Sequence, residues 1–430
     1  MKISVAGTGY VGLVSGVCLS EMGHDVTCVD LDENKIGLMV SGKSPIYENG
    51  LEELMVKNYK IGRLKFTTNY KDAYKNSEAI LIGVGTPERK DGSANLSYVY
   101  KVVEQIAQSL ENNCVVIVKS TVPIGTNDDI EEYFKKHIKN DICIDVVSNP
   151  EFLSQGTAVH DTLNASRIVI GTESKTAEKI MLEIYEPFNL PIVSISRRSA
   201  EMVKYASNDF LALKISYMND IANLCEIVGA DVIDVAKGMS FDKRIGNKFL
   251  SAGCGYGGSC FPKDTKALHY LAGQNEYQLK TIKAAIEINE TQKVILITKA
   301  RKYFTSFEGL TIAILGLTFK PGTDDLREAP SLANIEILLD EGAIIKAFDP
   351  VGIDNYKKIY PTEIQYVCNP IQALIGADAC FIFTEWDEIK KLSCTDYIEN
   401  MKNPTVFDGR NIYDKKIMEN SNIVYVSIGR

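Results

Sequence analysis

Short apolar runs punctuate the first part of the chain: "KISVAG", "DVTCVD", "EAILIGVGTP", "CVVIVKSTVP", "IDVVSNPEF" and "SRIVIG". Near-continuous apolar strands are buried on both faces, as in a parallel sheet. Polar or helix-like stretches separate these runs, which predicts an open α/β sheet with helices on both sides. The first helix is predicted to run to Met22 and to stop at Gly23, a good C-cap residue.

From Ser199 the period changes. "SAEMVKYASNDFLALKISYMNDIANLCEIVG" has helical apolar spacing, with Ser199 as the predicted N-cap and Gly229 as the stop. At ~1.5 Å per residue such a helix exceeds roughly 40 Å, a length that suits a domain connector or an oligomer interface. Helical spacing continues through "TIKAAIEINETQKVILITKARKYF". At Leu310 the strand pattern resumes with "LTIAILG", and Gly342 to Asp349 repeats the spacing of Gly23 to Asp30. The predicted architecture is therefore two Rossmann-like doubly wound parallel-sheet domains, 1–195 and 301–430, joined by a long helical connector at 196–300.

Composition narrows the class. At 430 residues the chain is too long for one core, and 45% hydrophobic with 24% charged residues is ordinary for a soluble protein. A net charge of −9 argues against nucleic-acid binding and against a polybasic membrane surface. The run "ISVAGTGYVGLVSGVCL" is too glycine-rich for a signal-peptide core, and no stretch matches a membrane span. Ten dispersed cysteines without a CxxC pair, beside four histidines, predict a reducing cytoplasm and no metal site.

Gly7, Gly9 and Gly12 form G-x-G-x-x-G between a strand and a helix, and Asp30 ends the next strand. The first glycine permits a tight turn, the second lets backbone approach a pyrophosphate, and the third permits close helix packing. The positive end of the helix then faces the phosphates. Asp30 suits the ribose hydroxyls, which points to NAD; Lys35 lies nearby.

"GCGYGGSCFPKD" at 253–264 crowds glycines around a thiol. Pro262 is read as the first residue of a helix, which puts Cys260 at the positive helix end that lowers a thiol pKa. Lys263 adds a cation, and Gly257 and Gly258 are candidate oxyanion donors through their N–H groups. Most cysteines are inert core residues, but this setting favours a nucleophile. Cys254, six residues earlier, leaves a disulfide or metal role open.

That segment resembles the nucleophile region of the UDP-glucose/GDP-mannose dehydrogenase family. The likeness extends through "AGTGYVG", "STVPIGT", "NPEFL", "EMVKYASN", "FDKRIGNKFL", "LGLTFKPGTDDLREAPS" and "DGRN", in order along nearly the whole chain. The wording "CGYGGSCFPKD" is closest to the UDP-glucose branch. The resemblance implies that 1–195 binds NAD, 196–300 dimerises and 301–430 binds the UDP-sugar. It implies a four-electron oxidation of a primary alcohol to a carboxylate, with Cys260 holding the aldehyde as a thiohemiacetal and then a thioester.

By position, Lys204 and Asn208 take the role of oxyanion stabilisers, Asp264 and Thr121 hold a water, and Glu151 is the general base. The implied cofactor contacts include Tyr10, Val11, Lys35, Thr86, Thr121, Glu151, Lys263 and Arg327. The implied sugar-nucleotide contacts are Glu151, Phe152, Leu153, Lys204, Asn208, Arg244, Phe249, Tyr256, Gly257, Cys260, Phe319 and Lys320, with Arg327 and Arg410 in the same matching segments. Arg244 is expected to reach a partner subunit of a homodimer. Ser251 stands where some relatives carry lysine, so one contact is expected to be missing. UDP-glucose is the expected substrate. GDP-mannose or a UDP-N-acetylhexosamine is the alternative, and a non-catalytic NAD-binding redox sensor is the reading from another class.

Overall fold

In the computed structural model, which describes residues 1–138 and 142–430, the chain divides into two compact units, Met1–Ser207 and Asn208–Arg430. Eight strands build the first: β1 (Lys2–Ala6), β2 (Asp25–Val29), β3 (Leu64–Thr67), β4 (Ala79–Ile82), β5 (Cys114–Val118), β6 (Ile144–Ser148), β7 (Ile168–Gly171) and β8 (Ile192–Ile195). Their order is β3-β2-β1-β4-β5-β6-β7-β8. The β1 register pairs Ile3 with Val26 on one side and with Ala79 on the other.

Central β4 and β5 are buried at every residue, as their uninterrupted apolar sequences require. One junction departs from the expected parallel sheet. β6 meets β7 antiparallel at Ser148 and Gly171, and β8 then follows β7 in parallel. The connection through Asn149–Arg167 thus leaves and re-enters the sheet at the same end.

The first helix, Tyr10–Glu21, is buried without a break from Gly12 to Ser20. Gly16 explains how it lies so close to the sheet, since a Cβ there would sit 2.5 Å from the Cys28 sulfur. The helix ends at Glu21, and Gly23 reverses the chain at φ +100°.

The long helix spans Arg197–Val228 and crosses the unit boundary. Its start differs from the predicted Ser199. Ser196 Oγ accepts the Ser199 N–H at 3.3 Å, so Ser196 is the cap and Ser199 lies in the first turn. Arg197 fixes that earlier start through ion pairs with Asp128 (3.2 Å), Glu131 (2.8 Å) and Glu173 (2.7 Å). Gly229, at φ +75°, ends the helix as predicted.

The second unit places helices Phe261–Gln274 and Lys280–Lys293 beside an all-parallel sheet. Its strands are β9 (Thr311–Leu315), β10 (Ile344–Phe348), β11 (Ile364–Tyr366), β12 (Ala379–Ile382), β13 (Thr405–Asp408) and β14 (Val424–Val426), ordered β11-β10-β9-β12-β13-β14. The same order opens the first sheet, with β3-β2-β1-β4 matching β11-β10-β9-β12. In this repeat Asp349, after β10, spends its carboxylate on the loops around it. It accepts from Leu317 N (2.7 Å), Thr318 N (3.1 Å), Gly352 N (2.7 Å) and Trp386 Nε1 (3.0 Å).

Candidate active site

The glycine motif of the first unit closes on itself. Gly7 turns the chain at φ +93°, and a Cβ on Gly12 would lie 2.0 Å from the Gly7 carbonyl oxygen. Gly83 packs equally tightly, 2.7 Å from Gly12 Cα by the same test. Gly9 is different: nothing lies within 4 Å of the Cβ position, so its backbone faces open space. Beside it lies a cleft of ≈ 340 Å³ bordered by Gly7, Gly9, Asp30, Lys35, Gly83 and Gly85. Tyr10 and Val11, in the first turn, complete the motif. An open glycine at a helix start fits a dinucleotide pyrophosphate.

Asp30 is fixed by the loop that it faces. It accepts the Thr8 N–H (3.0 Å), the Thr8 hydroxyl (2.6 Å) and the Asp32 N–H (3.1 Å), with Lys35 Nζ 4.0 Å away. Burial pulls its pKa up, but these hydrogen bonds outweigh burial and leave it below the usual carboxylate value. Thr86 donates its hydroxyl to the Thr121 carbonyl at 2.9 Å, which ties the loops after β4 and β5 together.

Glu151 and Lys204 meet within this unit. The Lys204 ammonium lies 2.8 Å from Glu151 Oε1, and both side chains are buried. Glu151 Oε2 accepts the Leu153 N–H at 2.8 Å, so both its oxygens have donors. Lys204 Nζ also lies 5.7 Å from the Phe152 ring centre, and the Arg167 guanidinium is 4.0 Å from that ring. Asn149 anchors the loop by donating to Val169 O at 2.7 Å and accepting Lys119 Nζ at 3.0 Å.

In the second unit, Cys260 is the N-cap residue of the helix Phe261–Gln274. Pro262 is thus its second residue rather than its first. Cys260 is half-buried and its sulfur lies 3.6 Å from Ser259 Oγ. Asp264 is in the first turn, its N–H bonded to the Cys260 carbonyl at 2.8 Å. Its buried carboxylate accepts Asn208 Nδ2 at 2.7 Å and pairs with Lys263. Asn208 lies one turn after Lys204 on the long helix, at the start of the second unit. All ten cysteines are free, so Cys254 forms no disulfide. Burial pushes the thiols of Cys18, Cys28 and Cys114 up to about 12.

The glycines before Cys260 are packing devices. A Cβ on Gly257 would meet the Glu328 carbonyl oxygen at 2.3 Å, and one on Gly258 would meet the Phe319 ring at 2.7 Å. Gly258 N–H donates to Arg327 O at 2.7 Å, so the expected oxyanion donor is already engaged. Tyr256 exchanges two hydrogen bonds with Asn289, 2.8 and 3.1 Å, that hold the loop. Phe319 and Tyr256 stand around the thiol segment, and Lys320 Nζ lies 5.6 Å from the Phe319 ring centre.

Three arginines have partners within the protein. Arg410 donates to the carbonyls of Phe383 (2.7 Å), Gly255 (3.3 Å) and Phe319 (3.1 Å), which makes it a clamp for the thiol loop. Arg327 bonds Asp325 at 2.8 and 2.7 Å. Arg244 is exposed and paired with Asp242 at 2.7 Å. Phe249 holds φ +64°, rare for a side chain of its size, and its ring lies 6.3 Å from Phe261.

A family model for the NAD-binding domain of UDP-glucose/GDP-mannose dehydrogenases matches residues 1–189; those for the central and UDP-binding domains match 198–291 and 313–415. The chain belongs to the UDP-glucose/GDP-mannose dehydrogenase family. The cofactor of this family's N-terminal domain is NAD, in agreement with the open Gly9 and the acid at 30.

UDP-glucose 6-dehydrogenase YwqF of Bacillus subtilis (strain 168) is 47% identical over 430 residues, covering 100% of this chain and 98% of the relative. The UDP-glucose 6-dehydrogenase of Rhizobium meliloti (strain 1021) is 44% identical, with 100% of both covered. Among solved structures, a UDP-glucose dehydrogenase from Pyrobaculum islandicum superposes with TM-score 0.93 at 33% identity, covering 99% of this chain and 96% of that one.

Some residues of this family member carry no motif signal. Thr8 is a motif filler that holds Asp30, and Gly83 reads from sequence only as part of an apolar run. Asp209 follows Asn208 and is buried; its signal was a carboxylate on the apolar face of a helix.

Proposed function

We propose that the chain oxidises C6 of UDP-glucose to the carboxylate of UDP-glucuronate in two successive steps, consuming one water. When bound, NAD accepts a hydride at each step. The observation that carries the chemistry is a half-buried thiol at a helix start, with Asp264 in the next turn bonded to Asn208. The names of relatives sharing 40–47% of residues support the substrate.

Cys260 attacks the C6 aldehyde through sulfur, forming a C–S bond and a thiohemiacetal. Loss of the second hydride leaves a thioester, and water cleaves the C–S bond to release the acid and the thiol. Lys204 and Asn208 stabilise the oxyanions, one by charge and one by a hydrogen bond. Asp264 and Thr121 position water. Glu151 acts as base in hydrolysis, once substrate has drawn Lys204 from the ion pair.

The working unit is a homodimer in this reading. Phe210, Tyr217 and Leu224 are exposed and recur every seventh residue on the long helix, with Ile227 and Val228 exposed beside them. Arg244, spent on nothing but Asp242 among the described contacts, is the residue we assign to the partner's site. Ten free thiols suit a reducing compartment, and we place the protein in the cytoplasm. Among the described residues no helix is long and apolar enough to cross a membrane.

The test is NADH stoichiometry over a panel of sugar nucleotides. UDP-glucose is expected to give the highest kcat/KM and two NADH per molecule. One NADH, or preference for GDP-mannose or a UDP-hexosamine, overturns the assignment.

A further inference from the structure

Asp209 lies on a buried stripe of the long helix with Tyr205, Ala212, Ser216 and Asn219, and is 2% exposed. Among the described residues neither of its carboxylate oxygens has a hydrogen-bond partner. Asp264 is equally buried, yet its oxygens take Asn208 and Lys263. Two buried carboxyls with such unequal donors do not both ionise, and the proton goes to the one that nothing stabilises.

The charged and titratable groups acting there are Asp264 and Lys263 from the thiol helix and Tyr256 from the loop before it. Burial, then the Asp264 charge, push Asp209 up to about 8, while Lys263 pulls the other way. Lys263 is committed to Asp264, so it leaves the imbalance in place.

We infer that Asp209 is a positioning residue that carries a proton at neutral pH, so that the Asp209–Asp264 pair bears one negative charge and that charge rests on Asp264. A second anion near the thiol helix disfavours the oxyanions of the reaction. Loss of the Asp209 proton therefore slows turnover. The inference rests on the assignment of Asp264 to the active site.

The experiment compares kcat for the full-length enzyme and its Asp209→Asn variant across pH. Asn is neutral throughout. The variant-to-wild-type ratio is expected to rise about tenfold between about pH 7 and about pH 9, as the wild type loses its proton. Taking the ratio cancels titration of the thiol itself. A flat ratio overturns the inference. If Asn fails to fold, Asp209→Ala takes its place with the same expectation.

Infrared difference spectra of wild type minus variant supply a second arm that needs no turnover. A carboxylic-acid C=O band, sensitive to deuteration, is expected at neutral pH and lost through the same midpoint. Its absence also overturns the inference. Glu201 and Asp408, other acids pushed up by burial, cancel in the difference. Wild-type turnover in Asp264→Asn would instead break the active-site assignment, leaving the band in place.

Discussion

Cys260 differs from the buried thiols by its setting. Cys18, Cys28 and Cys114 sit in apolar cores that hold them protonated, whereas Cys260 caps a helix and is half-buried. Cys260→Ser is expected to lower kcat by at least about 10²-fold while the Kd for UDP-glucose, read by calorimetry, stays within about twofold. Asp30→Ala removes the acceptor for Thr8 and, on the proposed reading, for the cofactor ribose. The KM for NAD should rise about tenfold, measured at saturating sugar nucleotide.

At this scale the sequence singles out candidates where residue type and spacing both signal chemistry, as at Gly7, Gly9, Asp30 and Cys260. Lys204, Glu151 and Thr121 become candidates only through family resemblance, because a helix lysine and two turn residues look ordinary. Arg410 clamps three carbonyls, a role that its place in "DGRN" does not signal.

Among the elements, the glycine turn is the least tolerant. Gly12→Ala places a methyl 2.0 Å from the Gly7 carbonyl. Since neither backbone segment can yield freely, the variant should lose about 1–3 kcal/mol of stability in urea titrations, together with NAD binding. The strands were readable from their apolar runs, since burial on both faces leaves little room for polar residues. The antiparallel β7 was not readable, because the direction of a strand leaves no mark on its own composition. Nor was the true helix start. "SISRRSAE" offers two serines, and the choice of Ser196 follows from acids on other elements that anchor Arg197.

For the whole molecule, the exposed seven-residue stripe predicts association. Sedimentation is expected to give a dimer, and Leu224→Glu should shift it toward monomer with loss of activity. Stability should also depend on pH through Asp209. Its folded pKa, about 8, lies above the unfolded 3.8, so its contribution is full below 3.8 and is lost as pH rises through 8. Within that window the slope is about 1.4 kcal/mol per pH unit, and Asp209→Asn should remove it from urea midpoints taken at several pH values.

Asp349 is the counterpart of Asp30 in the second sheet, held by loop amides and an indole much as Asp30 is held by Thr8 and Asp32. The NAD-binding domain model matches residues 1–189 and the UDP-binding one 313–415, so the redox carrier belongs to the first unit, while four electrons must depart. Between the two half-reactions the spent carrier must be exchanged for a fresh one. If Cys260 holds the sugar as proposed, a covalent bond keeps it in place throughout that exchange.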